Sequence, residues 1–179
     1  RNVPDQVEQP MMRNEHIVRA HQAPVVAVNP ATGLPWNVYH VDNSAAAGGT
    51  GTANSPFTTL TQAEAAATAA YDIVFVSVGN SATQPYATPA TGYSFAAANQ
   101  YLIGEGSTLA IPTISCGYKQ FFTGNGASDY PILTNPAGPA IAIDQPGSHV
   151  DHFQITNSPI GITDGTGLAA PGVATVSDV

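Results

Sequence analysis

Apolar residues in this chain come in short runs separated by turn-forming stretches, with no long helical stripe. Ile73-Val74-Phe75-Val76-Ser77-Val78 is almost entirely β-branched or aromatic. Continuous apolarity over so short a run marks a parallel strand buried on both faces. Trp36 to Val41 predicts an earlier strand, and Leu102-Ile103 begins a later one that Leu109-Ala110-Ile111 and Ile114 continue. Ala140-Ile141-Ala142-Ile143 repeats as Pro159-Ile160-Gly161-Ile162 nineteen residues further on, and Val150, Phe153 and Ile155 supply a wall between them. Val173 and Val176 open one more rung. This spacing fits a repeating coil of roughly 19–22 residues with two or three short strands per turn. Rungs stack at about 4.8 Å in such a coil. The pattern predicts that Val74, Val76, Leu102, Ile141, Ile143, Phe153, Ile155, Ile160 and Ile162 point inward.

One helix is predicted, over about 59–70. Thr61 and Glu64 fit the Ser/Thr-x-x-Glu capping pattern. Leu60, Ala63 and Ala67 share a small apolar face at spacings of three and four, suited to lying flat across the end of a sheet. Ala45 to Ser55 is a Gly-rich loop, and Gly48-Gly49-Thr50-Gly51 lacks the Lys-Ser/Thr of a phosphate loop. Two excursions interrupt the strands. Asn80 to Asn99 holds Tyr86, Tyr93 and Phe95, and Tyr118 to Pro131 holds Lys119, Phe122 and Tyr130. Asn99, Asn125, Asn135 and Asn157 fall at expected turns, where Asn tolerates left-handed backbone.

The order strand (Val38 to Asn43), Gly-rich loop, Ser55-Pro56-Phe57-Thr58-Thr59-Leu60, Ala-rich helix, buried strand, then Asn99-Gln100-Tyr101-Leu102-Ile103-Gly104-Glu105-Gly106 resembles the start of a right-handed parallel β-helix of the pectate-lyase-like superfamily. The resemblance implies an all-β solenoid with a short N-terminal capping helix. The rival fold is a β-sandwich, with Asn125-Gly126 and Asp164-Gly165 as hairpin turns. Residues 1–34, carrying four prolines and three of the four basic residues, are expected to be an extended arm or linker. Residues 35–179 are expected to be the coils, cut at the C-terminal end within the strand-like Val176-Ser177-Asp178-Val179. In the arm, Gln9-Pro10-Met11-Met12-Arg13-Asn14-Glu15-His16-Ile17-Val18 resembles the closing strand of inverse-autotransporter (intimin/invasin-type) barrels. That resemblance implies a passenger region displayed outside the outer membrane.

Composition narrows the function. The 179 residues carry a net charge of −8, only 9% charged residues, and no basic residue between Arg19 and Lys119. Clustered Lys and Arg are what displace counterions from nucleic acid, so nucleic acid is set aside, and so is an anionic membrane surface. No apolar run reaches the roughly 18 residues of a spanning helix. Cys116 is the sole cysteine and reads as a small buried hydrophobe.

Pectate lyases of this fold hold Ca²⁺ with clustered acids and use a basic residue to abstract the sugar proton; related hydrolases use Asn-x-Asp and Asp-Asp motifs. Neither motif occurs here, and Lys119 is the one basic candidate. Glu105, Asp144, Asp151 and Asp164 are the acids in the coil region. Ser148-His149-Val150-Asp151-His152 is the densest polar cluster; His149 and Asp151 are expected on one exposed face, with Val150 and His152 on the other. Two potential ligands fall short of a metal site. The expectation is therefore a non-enzymatic extracellular segment, a passenger or stalk for adhesion or display. It would bind polysaccharide or a surface protein through Tyr86, Tyr93, Phe95, Phe122 and Tyr130 in the excursions, without a cofactor. Two alternatives stay open. One is the N-terminal coils of a polysaccharide lyase or glycoside hydrolase, for which Ca²⁺ would be the cofactor and Asp144, Asp151 and Asp164 would share one face. The other is a self-assembly module pairing through exposed β edges into a homo-oligomer.

Overall fold

The computed structural model describes residues 26–114, 117–120, 130–164 and 175–177. The barrel-like motif at residues 9–18, Cys116, Phe122, Asn125 and Val173 lie outside the described residues. Among the described residues the chain is all-β with one short helix. No described helix is long and apolar enough to cross a membrane.

Three parallel sheets account for eleven of the strands. The first sheet runs β1 (Val38–Val41), β2 (Ile73–Val76), β5 (Tyr101–Gly104), β10 (His149–Asp151), β13 (Thr175–Ser177). The second is β3 (Tyr86–Ala87), β8 (Ile132–Thr134), β11 (Gln154–Thr156), and the third is β4 (Tyr93–Ser94), β9 (Pro139–Ile143), β12 (Ile160–Asp164). From β2 onward the chain visits first, second and third sheet in the same rotation. One antiparallel hairpin, β6 (Ala110–Thr113) with β7 (Gly117–Gln120), interrupts it.

The rotation forms because each strand exposes one apolar side inward and meets the same side of the next strand. Val74, Leu102 and Val150 are paired in register in the first sheet, Tyr86, Leu133 and Ile155 in the second, and Tyr93, Ile141 and Ile162 in the third. All nine belong to, or pack against, one interior cluster that also holds Val41, Val76, Phe95 and Phe153. Burying side chains of this size stabilises by about 1.5–3 kcal/mol each.

The helix α1 (Leu60–Ala66) places Leu60, Ala63 and the following Ala67 in the same cluster. Its cap differs from the sequence expectation. Thr59 is the N-cap, its hydroxyl accepting from the Gln62 N–H while Gln62 reaches back to the Thr59 N–H. Starting two residues earlier than a Thr61 cap would allow puts Leu60 into the first turn, where it is fully buried. Glu64 instead accepts from the Ser94 hydroxyl at 2.6 Å and ties the helix to β4. The buried Gln100 amide donates to the carbonyls of Ala67 and Ala69 at 2.9 Å, supplying partners that a helix C-terminus otherwise lacks.

Three further expectations change. The repeat pairs Ile162 with Ile141 and Ile160 with Pro139, a separation of 21 residues in place of nineteen. Ile160, at the start of β12 opposite Pro139, is 50% exposed and outside the interior cluster, while Ile155 and Ile162 are half-buried. Asn80 to Asn99 is not a surface excursion, since it contains β3 and β4, the opening strands of the second and third sheets. Residues 26–34, expected within an extended arm, fold back: Val28 bridges Pro35, and the Ile114 N–H donates to the Val28 carbonyl. Asn99 and Asn157 adopt the expected left-handed backbone, at φ 59° and 49°. Asn135 is a buried tie whose amide donates to the Pro89 and Pro139 carbonyls.

Ile141, stacked between Tyr93 and Ile162, is fully buried in the interior cluster. Ile141→Ala is expected to cost about 2–5 kcal/mol of unfolding free energy, and Ile160→Ala less than about 0.5 kcal/mol. Chemical denaturation of the two variants checks the register.

Candidate functional site

The outward side of the first sheet carries most of the polar and aromatic chemistry. Alternation along the strands sends Val38 and His40, Ile73 and Phe75, Tyr101 and Ile103, and His149 and Asp151 outward, opposite the inward Val74, Leu102 and Val150. The β6–β7 hairpin covers the middle of this face. Ile111 packs fully buried on Ile73 and Ile103, and the Trp36 indole donates to the Pro112 carbonyl at 2.9 Å. Two patches remain beside that cover.

The first is an aromatic row. Trp36 meets Tyr71 edge-on at 6.2 Å and Tyr101 at 6.0 Å; Tyr101 in turn lies 5.5 Å from His149. All four rings are half-buried. Tyr71 holds a φ of 69°, which costs about 1–2 kcal/mol for a residue with a Cβ. Burial pushes the Tyr101 hydroxyl up from the ordinary tyrosine range, with the Tyr71 and Tyr118 hydroxyls adding to the effect. Beside the row, Asn29, Leu34, Trp36, Asn37, Tyr71 and Asp72 line a cavity of about 200 Å³.

The second patch is polar. The carboxylate of Asp151 is buried, with Oδ2 accepting from the Ser107 hydroxyl at 2.7 Å and Oδ1 lying 2.6 Å from His152 Nδ1. Tyr130 packs edge-on against His152 at 4.9 Å. His152 was expected on the Val150 side. Its φ of 61° breaks the strand alternation and swings the ring back onto Asp151. Gly104 makes room, since a Cβ there would overlap the His152 carbonyl oxygen. The expectation of an exposed His-Asp pair therefore does not hold: His149 packs on Tyr101, and Asp151 is buried on the outward side of the sheet and bonded to Ser107.

The candidate contact residues separate. Tyr86, Tyr93 and Phe95 are at most 3% exposed. They are inward residues of β3, β4 and the turn after it, so their aromatic faces pack the core and are not a contact surface. Tyr86 donates to the Ser77 carbonyl and accepts from the Asn43 N–H, and burial pushes its hydroxyl up to about 12. Tyr93 shifts in the same direction, again through burial. Tyr130 is half-buried at the polar patch, and Phe122 lies outside the described residues. Trp36, Tyr71, Asn29 and Ser107 were missed. Trp36 and Tyr71 carry a signal, being large aromatics at element boundaries; Ser107 carries none.

The acids are distributed. Asp144, just past β9, accepts from the Phe95 N–H, and Glu105 accepts from the Val78 N–H at 2.7 Å. Asp151 belongs to the first sheet and Asp164 to the third, so Asp144, Asp151 and Asp164 share no face. Among the described residues no three His, Cys, Asp or Glu side chains group to hold a metal ion. Compared with protein-family models, curated proteins and solved structures, the chain gives no match.

Burial lowers the pKa of His149, with Asp151 pulling weakly the other way, and burial also lowers that of His40 beneath Phe75. A histidine held neutral in the folded state binds fewer protons than in the unfolded chain. Stability is therefore lost as pH falls through the ordinary histidine value of about 6.5. Melting temperature is expected to drop between about pH 7.5 and 5.5, with a shallower drop in the double variant His40→Gln/His149→Gln. Thermal unfolding followed by circular dichroism across that range checks it.

Proposed function

We propose that residues 35–179 form the leading coils of a right-handed parallel β-helix that serves as an extracellular, cell-surface passenger or stalk and binds its partners through the outward side of its first sheet. The constant rotation through three parallel sheets supports the coil. The right hand follows from the preference of parallel crossovers for that sense. The resemblance of residues 9–18 to an inverse-autotransporter closing strand supports display from an outer membrane.

The observation that carries the binding reading is the half-exposed aromatic row Tyr71-Trp36-Tyr101-His149 beside an open cavity. Flat rings with polar edges are the groups that recognise sugar rings and protein side chains with little loss of freedom. Carboxylates of the coil that could have served catalysis are engaged elsewhere: Glu64, Glu105, Asp144 and Asp151 each accept hydrogen bonds that hold the chain's own turns or side chains. General acid–base chemistry on a polysaccharide needs such a group free to reach the scissile bond. A rigid coil that offers a surface fits these residues better than a lyase or hydrolase.

Incubation with neutral and acidic polysaccharides, with Ca²⁺ or with EDTA, tests the choice. The expected outcome is retention on one or more immobilised glycans, with no new reducing ends and no absorbance from unsaturated uronates. Ca²⁺-dependent cleavage would overturn the reading.

A further inference from the structure

We infer that the cavity between residues 29–37 and the Ala69-Ala70-Tyr71-Asp72 turn is a binding site for one uncharged pyranose ring. The inference rests on the surface-binding reading above and gives it a specific subsite.

Size comes first. Pockets for drug-sized ligands run to about 300–1,000 Å³, whereas this one holds about 200 Å³, room for a single sugar ring and no more. Shape is set by Trp36 and Tyr71, whose rings stand at 83° to each other with centroids 6.2 Å apart. They form a corner with one aromatic face on each side. A pyranose has a hydroxyl-bearing rim and a C–H face, and such a corner takes the C–H face. Tyr71 holds its place through a left-handed backbone that aromatic residues rarely adopt. Strain of this kind persists where surrounding structure enforces it, and functional sites are where it concentrates.

The polar groups match the hydroxyl rim. Asp72 is 4% exposed, and its two oxygens each take one hydrogen bond from the chain: Oδ1 from Asn37 Nδ2 at 3.1 Å, Oδ2 from the Ala69 N–H at 2.9 Å. A carboxylate has about four acceptor sites, so capacity for hydroxyl donors remains. Asn37 spends its amide hydrogens on Tyr39 Oη and Asp72, which leaves its Oδ1 as an acceptor. Asn29 is 3% exposed and accepts from the Ala31 N–H through Oδ1, which leaves its Nδ2 as a donor. Donor and acceptors thus surround an aromatic corner, the pairing that a ring bearing hydroxyls satisfies on both its rim and its face.

Charge selects among sugars. Among the described residues no Lys or Arg lines the cavity, and the buried Asp72 carboxylate disfavours a second negative charge nearby. Uronates and sulfated sugars are therefore rejected in favour of neutral hexoses.

Trp36 is the sole tryptophan and lies in the wall, so its fluorescence reports occupancy directly. The experiment titrates the full chain with the methyl glycosides of glucose, galactose and mannose, with glucuronate and glycerol as controls. A saturable change with at least one neutral glycoside is expected, with a dissociation constant on the order of 1–10 mM, and none with glucuronate. Tyr71→Asn keeps a residue that tolerates the left-handed backbone while removing the ring. It is expected to weaken binding about tenfold while melting at or above the parent temperature, and Tyr71→Phe is expected to restore it. An unsaturable change that glycerol reproduces, equal binding of glucuronate, or undiminished affinity in folded Tyr71→Asn would each overturn the site. Polysaccharide retention that survives in Tyr71→Asn alongside a silent titration would overturn the cavity assignment while leaving the surface-binding reading in place.

Discussion

The structure depends on inward side chains resting on the same position of the next strand. Leu102 lies between Val74 and Val150, Leu133 between Tyr86 and Ile155, and Ile141 between Tyr93 and Ile162. No sheet closes a core alone. The second and third sheets open with strands of two residues, too short to be stable by themselves. They persist because Tyr86 and Tyr93 fill the space that the first sheet leaves. The helix ends the stack, with Leu60, Ala63 and Ala67 occupying the interior beside β1 and β4, and Gln100 donating to the carbonyls of the C-cap Ala67 and of Ala69 just past it. An unclosed end would present strand groups ready to pair with another chain.

A core arranged this way releases the outward side of the first sheet for other work. Its middle is taken by a second apolar cluster, where Ile111 of the hairpin covers Ile73 and Ile103. That cover also fixes Trp36, through its bond to the Pro112 carbonyl, and Trp36 fixes the angle at which Tyr71 and Tyr101 are presented. The hairpin is therefore the link between packing and the proposed contact surface, since losing Ile111 would unseat both. At the other end of β10, Ser107, Asp151 and His152 form a closed polar set whose chemistry is spent on holding the turn, aided by the absence of a Cβ at Gly104.

Parts of this were legible in the sequence for physical reasons. Ile73-Val74-Phe75-Val76 stood out because both faces of the first sheet are covered, which leaves no polar alternation to blur the signal. The helix face was legible at Leu60, Ala63 and Ala67. Its cap was not, because Thr59-x-x-Gln62 and Thr61-x-x-Glu64 satisfy the same pattern and only the burial of Leu60 separates them. The repeat was seen two residues out of step. A slip of one residue would reverse every side chain, but a slip of two keeps each on its face, so Ile-x-Ile could not choose between 19 and 21. Two-residue strands carry no period at all, and for that reason Tyr86, Tyr93 and Phe95 read as loop aromatics when they are core. Trp36 and Tyr71 come together through a turn and a left-handed residue, and no linear spacing encodes that meeting.

The central claim is the stacking of three parallel sheets in a fixed register. Isotope-edited NOE spectroscopy on the uniformly labelled chain tests it most directly. Backbone contacts from Leu102 to both Val74 and Val150, and from Ile141 to both Tyr93 and Ile162, are the expected result. Contacts that pair β2 with β5 antiparallel, or that join Ile141 to Ile160 in their place, would contradict it.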